Sequence, residues 1–188
     1  MPFTDFFNIQ HNKTELIFKG RMDVTAASLL YFEAKIVQPM MHALKYQSQT
    51  NIAELLGELI AEKMQNSQRF NHIDLIVPVP LHPKKEKLRG FNQSWVVAKA
   101  ISNATGIKAK KNILERTQHT STQTQKNRSE RWQNVSTAFR VKDKQSVAHK
   151  NILLVDDVIT TGATAEACLQ ECKKNGAGNL YFVSAAIA

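Results

Sequence analysis

The run Ile152-Leu-Leu-Val155, followed by Asp-Asp-Val-Ile-Thr-Thr-Gly-Ala-Thr164, constrains the fold more than any other stretch. Four consecutive apolar residues without polar alternation suit a strand covered on both faces, as in the middle of a parallel sheet. The nine residues that follow carry two adjacent carboxylates, then hydroxyls and a glycine. That is the composition of a turn feeding a helix, not of a continuing strand.

The rest of the chain supplies partners for such a strand. The pattern predicts a helix from Ala163 to Asn175 ended by Gly176, and a closing apolar strand from Leu180 to Ile187. Upstream, Ile73 to Pro80 is short, β-branched and stopped by prolines, which fits a strand running into an irregular loop. A helix from Asn92 to Thr105 closes at Gly106. Weaker strands are expected over Lys108 to Leu114 and Thr137 to Val141. Helical spacing also runs from Ile36 to Tyr46, with Pro39 tolerable in the first turn. A second helix follows, with Asn51 as its cap and Glu54 completing a capping box. Alternation of strand and helix through the second half predicts an α/β fold with a mainly parallel central sheet flanked by helices. The first thirty residues carry little pattern.

At 188 residues and 43% hydrophobic content the chain can bury a core of ordinary size. No stretch approaches the roughly 20 apolar residues that span a bilayer, and the opening lacks a signal-peptide pattern, so a soluble cytoplasmic protein is expected. Cys168 and Cys172 lie four apart on a helical segment and read as core-facing thiols, not as a disulfide or a metal pair. A net charge of +9 favours anionic partners. The basic residues cluster at Lys84, Lys85, Lys87 and Arg89, at Lys108, Lys110 and Lys111, and at Lys126, Arg128 and Arg131.

In an open parallel sheet, ligands collect where strands end and helices begin. Asp156 and Asp157 are expected just past the end of the strand. Thr160, Thr161, Gly162, Ala163 and Thr164 then bring hydroxyls, free backbone N–H groups and a helix N-terminus to one point, which suits a phosphate. Carboxylates repel a bare phosphate. They make sense if the ligand also offers hydroxyls or a divalent cation, as a ribose 5-phosphate does with Mg²⁺.

Ile152 to Thr164 resembles the phosphoribosyl pyrophosphate (PRPP) motif of the type I phosphoribosyltransferases. Together with VPVPLHPKKEKLRGFNQ (Val77 to Gln93), ALKY (Ala43 to Tyr46) and the ERT...SERWQNVSTAF stretch, it resembles the competence-associated ComF family of phosphoribosyltransferase-like proteins. The likeness covers residues 31–188, leaving 1–30 as an N-terminal extension. Family members commonly begin with a cysteine-rich zinc-binding segment, and no cysteine precedes Cys168 here.

The resemblance implies a Mg²⁺-dependent enzyme that passes a 5-phosphoribosyl group from PRPP to a nitrogen nucleophile and releases pyrophosphate. It places Asp156 and Asp157 on the ribose hydroxyls and on Mg²⁺, directly or indirectly, and Thr160 to Thr164 on the 5-phosphate. The pyrophosphate loop would be Val79 to Arg89, often crossed by a non-proline cis peptide, with Val79, Pro80, Leu81, Lys84, Lys85 and Arg89 as ligands and Gly90 and Asn92 shaping the turn. The Glu115 to Ser136 segment would be a loop closing over PRPP, with Arg116, Lys126, Arg128 and Arg131 as candidate catalytic cations. An acid stands at the Thr160 position in purine enzymes of the hypoxanthine-guanine type, so that acceptor is unsupported.

A second reading stays open: a non-catalytic PRPP sensor, or an accessory protein handling single-stranded DNA during uptake. Partners would then include single-stranded DNA or competence proteins, and a homo-oligomer is compatible with either reading. The acceptor is unassigned, because the hood expected to recognise it falls in the poorly patterned N-terminal region.

Overall fold

The structure is a computed structural model and describes residues 3–4, 12–47, 49–117 and 138–188. The elements are α1 (Lys13–Phe18), β1 (Thr25–Tyr31), α2 (Val37–Tyr46), α3 (Thr50–Gln65), a 3₁₀ turn (Gln68–Phe70), β2 (Leu75–Pro78), α4 (Pro83–Arg89), α5 (Gln93–Thr105), β3 (Leu114–Arg116), β4 (Phe139–Val141), β5 (Ile152–Ile159), α6 (Ala163–Lys174) and β6 (Leu180–Ile187).

Four strands form one parallel sheet in the order β1-β6-β5-β2. A single parallel bridge from Ala109 to Ile76 continues it past β2. β3 and β4 form a separate antiparallel ribbon.

Because strand side chains alternate, β5 serves two cores. Leu153 and Val155 pack with α2, α3 and α5 on one face. Ile152 and Leu154 pack with α6, Phe18 of α1 and the β3–β4 ribbon on the other. The apolar run therefore has helices on both sides, as its lack of alternation predicts. On the first face α3 and α5 approach closely at Gly57, where an added Cβ would lie 2.5 Å from Ala100 Cβ and 2.7 Å from the Val97 carbonyl. On the second face Cys168 and Cys172 of α6 are buried and free, and burial pushes the Cys172 thiol to about 12.

Several expectations are corrected. α3 begins two residues early, at Thr50, with Gln49 at the cap position and no side-chain cap, so Asn51 and Glu54 form no capping box. The expected strand from Lys108 to Leu114 reduces to the bridge at Ala109, and β3 runs on to Arg116. α1 and β1 arise where the sequence shows no pattern. β1 pairs with β6 and crosses the boundary drawn between residues 30 and 31, so the sheet includes residues of the N-terminal extension.

A chain of hydroxyls crosses the sheet beneath α1. Thr14 Oγ1 donates to Ser28 Oγ at 2.7 Å, and Ser28 Oγ lies 2.6 Å from Ser184 Oγ. Ser184 in turn donates to the Ala186 carbonyl at 3.0 Å. All three hydroxyl residues are buried.

Candidate functional site

The carboxylates sit inside β5, not past its end. The strand runs to Ile159, with Asp156 beside Ser184, Val158 beside Ala186 and Ile159 beside Ile187 of β6. Pairing with β6 extends the strand through two residues whose charge, in sequence, signals its end.

Asp156 is crowded by protein although part of its surface stays open. It accepts a hydrogen bond from Ser94 Oγ at 2.9 Å and another from the Asp157 amide at 2.8 Å. Burial, and then the neighbouring Asp157 charge, hold its carboxyl well above the usual carboxylate range despite those donors. Asp157 turns towards α2, where Lys45 Nζ lies 3.3 Å from its Oδ2. Both groups of this pair are mostly covered, at 23% and 14% side-chain exposure.

The turn after β5 places Thr160 and Thr161 at the surface and Gly162 at φ 77° as the cap of α6. Only glycine adopts that conformation without strain. The space a Cβ would fill is occupied by Ile17 of α1, so the glycine is demanded by packing behind the turn as well as by its backbone angle. Ala163 and Thr164 open α6, whose first-turn Glu166 is buried and bound by Arg21 at 3.0 Å.

The segment expected to be a pyrophosphate loop contains a helix. His82 caps α4 through its Nδ1, which accepts from the Lys84 amide at 3.2 Å; Pro83 opens the helix and Gly90 ends it at φ 80°. There is no cis peptide among the described residues. Val79 and Pro80 are buried and Leu81 is half-buried ahead of the helix. Asn92 ties the segment down: its Nδ2 donates to the Val79 carbonyl at 3.0 Å while its Oδ1 caps α5.

α4 divides its cations between two directions. Lys84 and Lys87 are exposed. Lys85 is half-buried, and its ammonium has a lowered pKa because of burial, reinforced by the charges of Arg116, Arg89 and Lys45. Arg89 donates to Gln93 Oε1 at 3.0 Å and lies 5.7 Å over the Tyr46 ring. Arg116 stands at the end of β3, 5.4 Å from the Phe139 ring and within electrostatic reach of Asp156. Glu115 and Arg116 thus belong to the ribbon instead of opening a loop. Lys126, Arg128 and Arg131 lie outside the described residues.

Lys45 thus contacts Asp157 and Arg116 is within electrostatic reach of Asp156, while Lys85 is within reach of Lys45, Arg89 and Arg116, so four cations are grouped near the carboxyl end of β5. Lys45, Ser94 and Tyr46 were not singled out by sequence reasoning, although the ALKY quartet contains two of them. Their signal is spatial: α2 and α5 end or begin beside the same strand.

The donor set suits Mg²⁺. Adjacent carboxylates offer the hard oxygen ligands that ion prefers, and a cation there would offset both the burial of the Asp156 carboxylate and the neighbouring Asp157 charge that hold its pKa up. Asp156 and Asp157 are the residues that would hold it.

No family model matches the chain. Competence protein F of Haemophilus influenzae is 31% identical over 141 residues, covering 73% of this chain and 62% of that protein. The DNA utilization protein YhgH of Escherichia coli K12 is 31% identical over 144 residues, covering 75% of this chain and 63% of that protein. The chain is thus a homologue of competence protein F and of the DNA utilization protein YhgH over about three quarters of its own length. It spans less than two thirds of the length of these two relatives. Adenine phosphoribosyltransferase from Leishmania tarentolae superposes on this chain with a TM-score of 0.50 and 12% identity, over 85% of this chain and 91% of that one. The fold is accordingly that of the phosphoribosyltransferases, with a mainly parallel sheet between helices. No helix among the described residues is long and apolar enough to cross a membrane.

Proposed function

We propose that the chain binds PRPP with Mg²⁺ and transfers its 5-phosphoribosyl group to a nitrogen nucleophile, releasing pyrophosphate. One observation carries this reading: a carboxylate pair beside a strand-to-helix turn, with Lys45 and Arg116 near the acids and, close to them, Lys85, whose charged form is disfavoured by burial and by Arg116, Arg89 and Lys45. PRPP is a ligand with both needs, hydroxyls on its ribose and dense negative charge on its phosphates.

Each group then has a task. Asp156 and Asp157 accept from the ribose hydroxyls. The Thr160 to Thr164 turn donates its hydroxyls and amides to the 5-phosphate, at the positive end of α6. Lys85, Arg89 and Arg116 meet the diphosphate, with exposed Lys84 at its outer edge and the Val79-Pro80-Leu81 backbone along its side. Gly90 and Asn92 hold that segment in place. Lys126, Arg128 and Arg131 complete the set of candidate cations by sequence alone. The bound metal supplies further charge neutralisation on the departing diphosphate. The chain's own contribution is positioning and electrostatic stabilisation of the leaving group, without a covalent nucleophile.

Calorimetric titration of PRPP with and without Mg²⁺, against wild type and an Asp156→Asn, Asp157→Asn double variant, tests the site. Equal binding by the double variant would sink the assignment. Pyrophosphate release in the presence of acceptors then separates transfer from sensing alone.

The names of the relatives, competence protein F and DNA utilization protein, support a second reading in which the pocket serves DNA uptake without catalysis. Single-strand binding that falls steeply with salt and survives loss of Asp156 would favour it.

A further inference from the structure

Beside the acid pair lies a cavity of about 600 Å³, between α2 and the chain leaving β1. It opens at the carboxyl ends of the strands, because the Phe32 amide donates at 2.7 Å to the Ile187 carbonyl where β6 ends. That volume falls within the usual range for small-molecule sites.

Its lining has two characters. Phe32, Met41, His42 and Tyr46 give apolar and ring surfaces, with the His42 and Tyr46 rings 4.8 Å apart and tilted at 42°. Lys35 and Lys45 give positive charge, and no carboxylate lines the cavity among the described residues. Lys45 is common to both sites, since its ammonium also contacts Asp157. Whatever occupies the cavity therefore lies next to the group that would be bound by the acid pair.

We infer that this cavity holds the acceptor, and that the acceptor is a planar aromatic or heteroaromatic ring bearing a carboxylate and a nucleophilic nitrogen. The inference rests on the phosphoribosyl-transfer reading above. Rings and a flexible thioether suit a flat apolar body. A wall with two ammonium groups and no acid selects an anion over a neutral or cationic ring. The acceptor carboxylate sits between Lys35 and Lys45, which turns its nitrogen towards the ribose beside Asp157. The nitrogen lone pair forms the bond to the ribose C1. The C1–O bond to the diphosphate breaks, its electron pair leaving with pyrophosphate, and any proton on the nitrogen passes to water.

The test is ligand-observed saturation-transfer NMR and calorimetry on the full chain, with PRPP and Mg²⁺ present. Anthranilate and nicotinate are the carboxylate probes, and aniline and adenine the neutral ones. The carboxylates should bind at least about tenfold more tightly than the neutral rings, a difference of about 1.4 kcal/mol. Lys35→Glu should remove that preference, and His42→Ala should weaken every ring probe. Both side chains are exposed, so the fold should survive, and PRPP affinity should stay within about twofold in each variant, since neither touches the proposed PRPP ligands. Adenine binding as tightly as the carboxylates would overturn the anionic assignment. Probe binding indifferent to both variants, or absent while PRPP binds, would overturn the pocket itself. Failure of PRPP to bind, with carboxylate probes still held by Lys35 and His42, would instead remove the transfer reading and leave a carboxylate site.

Discussion

Lys45 Nζ lies 3.3 Å from Asp157 Oδ2, joining the last turn of α2 to the carboxyl half of β5. Both partners are less than one quarter exposed, so the pair is shielded from solvent more than an ordinary surface ion pair. Lys45→Met leaves two adjacent carboxylates with less compensation and should cost about 1–3 kcal/mol. Thermal unfolding of Lys45→Met, Asp157→Asn and the double variant checks it. The penalties should be non-additive, since loss of Asp157 removes the reason for Lys45.

Asp156 should make stability fall as pH rises. Its native pKa is raised, so its contribution is fully present below the ordinary carboxylate value of about 3.9. Above that, the unfolded chain ionises while the native group resists, and stability is lost as pH rises through the native pKa. Asp156→Asn should match wild type near pH 3 and gain on it progressively from about pH 4 upward. Melting temperatures of the two proteins across that range test the sign. A gap that shrinks with pH would contradict it.

Gly162→Ala meets both a positive φ and the side chain of Ile17. The combined cost should be about 2–4 kcal/mol, from a left-handed residue and overpacking. In urea unfolding, Ile17→Ala in the same chain should recover the overpacking share and leave the backbone share.

Gly57→Ala tests the α3–α5 crossing. Its methyl would press on Ala100 and on the Val97 carbonyl, so helix propensity, which favours alanine, is overridden. The expected outcome is a loss of about 1–3 kcal/mol of unfolding free energy, read as a lower urea midpoint. A gain in stability would show that the helices can part at little cost.

Cys168 and Cys172 should be inert in the native protein. Burial raises both thiol pKa values, Cys172 to about 12, and thiolate is the reactive form. Labelling by a thiol reagent should be slow at neutral pH and should track unfolding as urea is added.

The second half of the chain was legible because its strands and helices carry their own signals. β5 and β6 are apolar runs, and α5 has Asn92 and Gly106 as chemical stops at its two ends. β1 was not legible because the Ala-Ala-Ser core of TAASLLY has weak β preference and shows no alternation, and its burial comes from neighbours that no local window contains. α1 spans six residues, too few to show a period. At the site, the acid pair and the turn after it could be read directly. The four-cation arrangement could not, since Lys45, Lys85, Arg89 and Arg116 come from three separate elements. The extra length of β5 had the same cause: pairing with β6 outweighed the local charge of Asp156 and Asp157.

The hydroxyl chain across the sheet bears on alignment. β1 and β6 are covered on both sides, so sliding one along the other by a residue would still bury apolar groups, and solvation alone would not punish the slip. Ser28 and Ser184 change that, because a slip would break their buried contact, leaving Ser28 with Thr14 alone and Ser184 with the Ala186 carbonyl alone. Asp156 lies level with Ser184 on the other side. The two serines thus act as a vernier mark, setting the height of the edge strand against the strand that carries the acids.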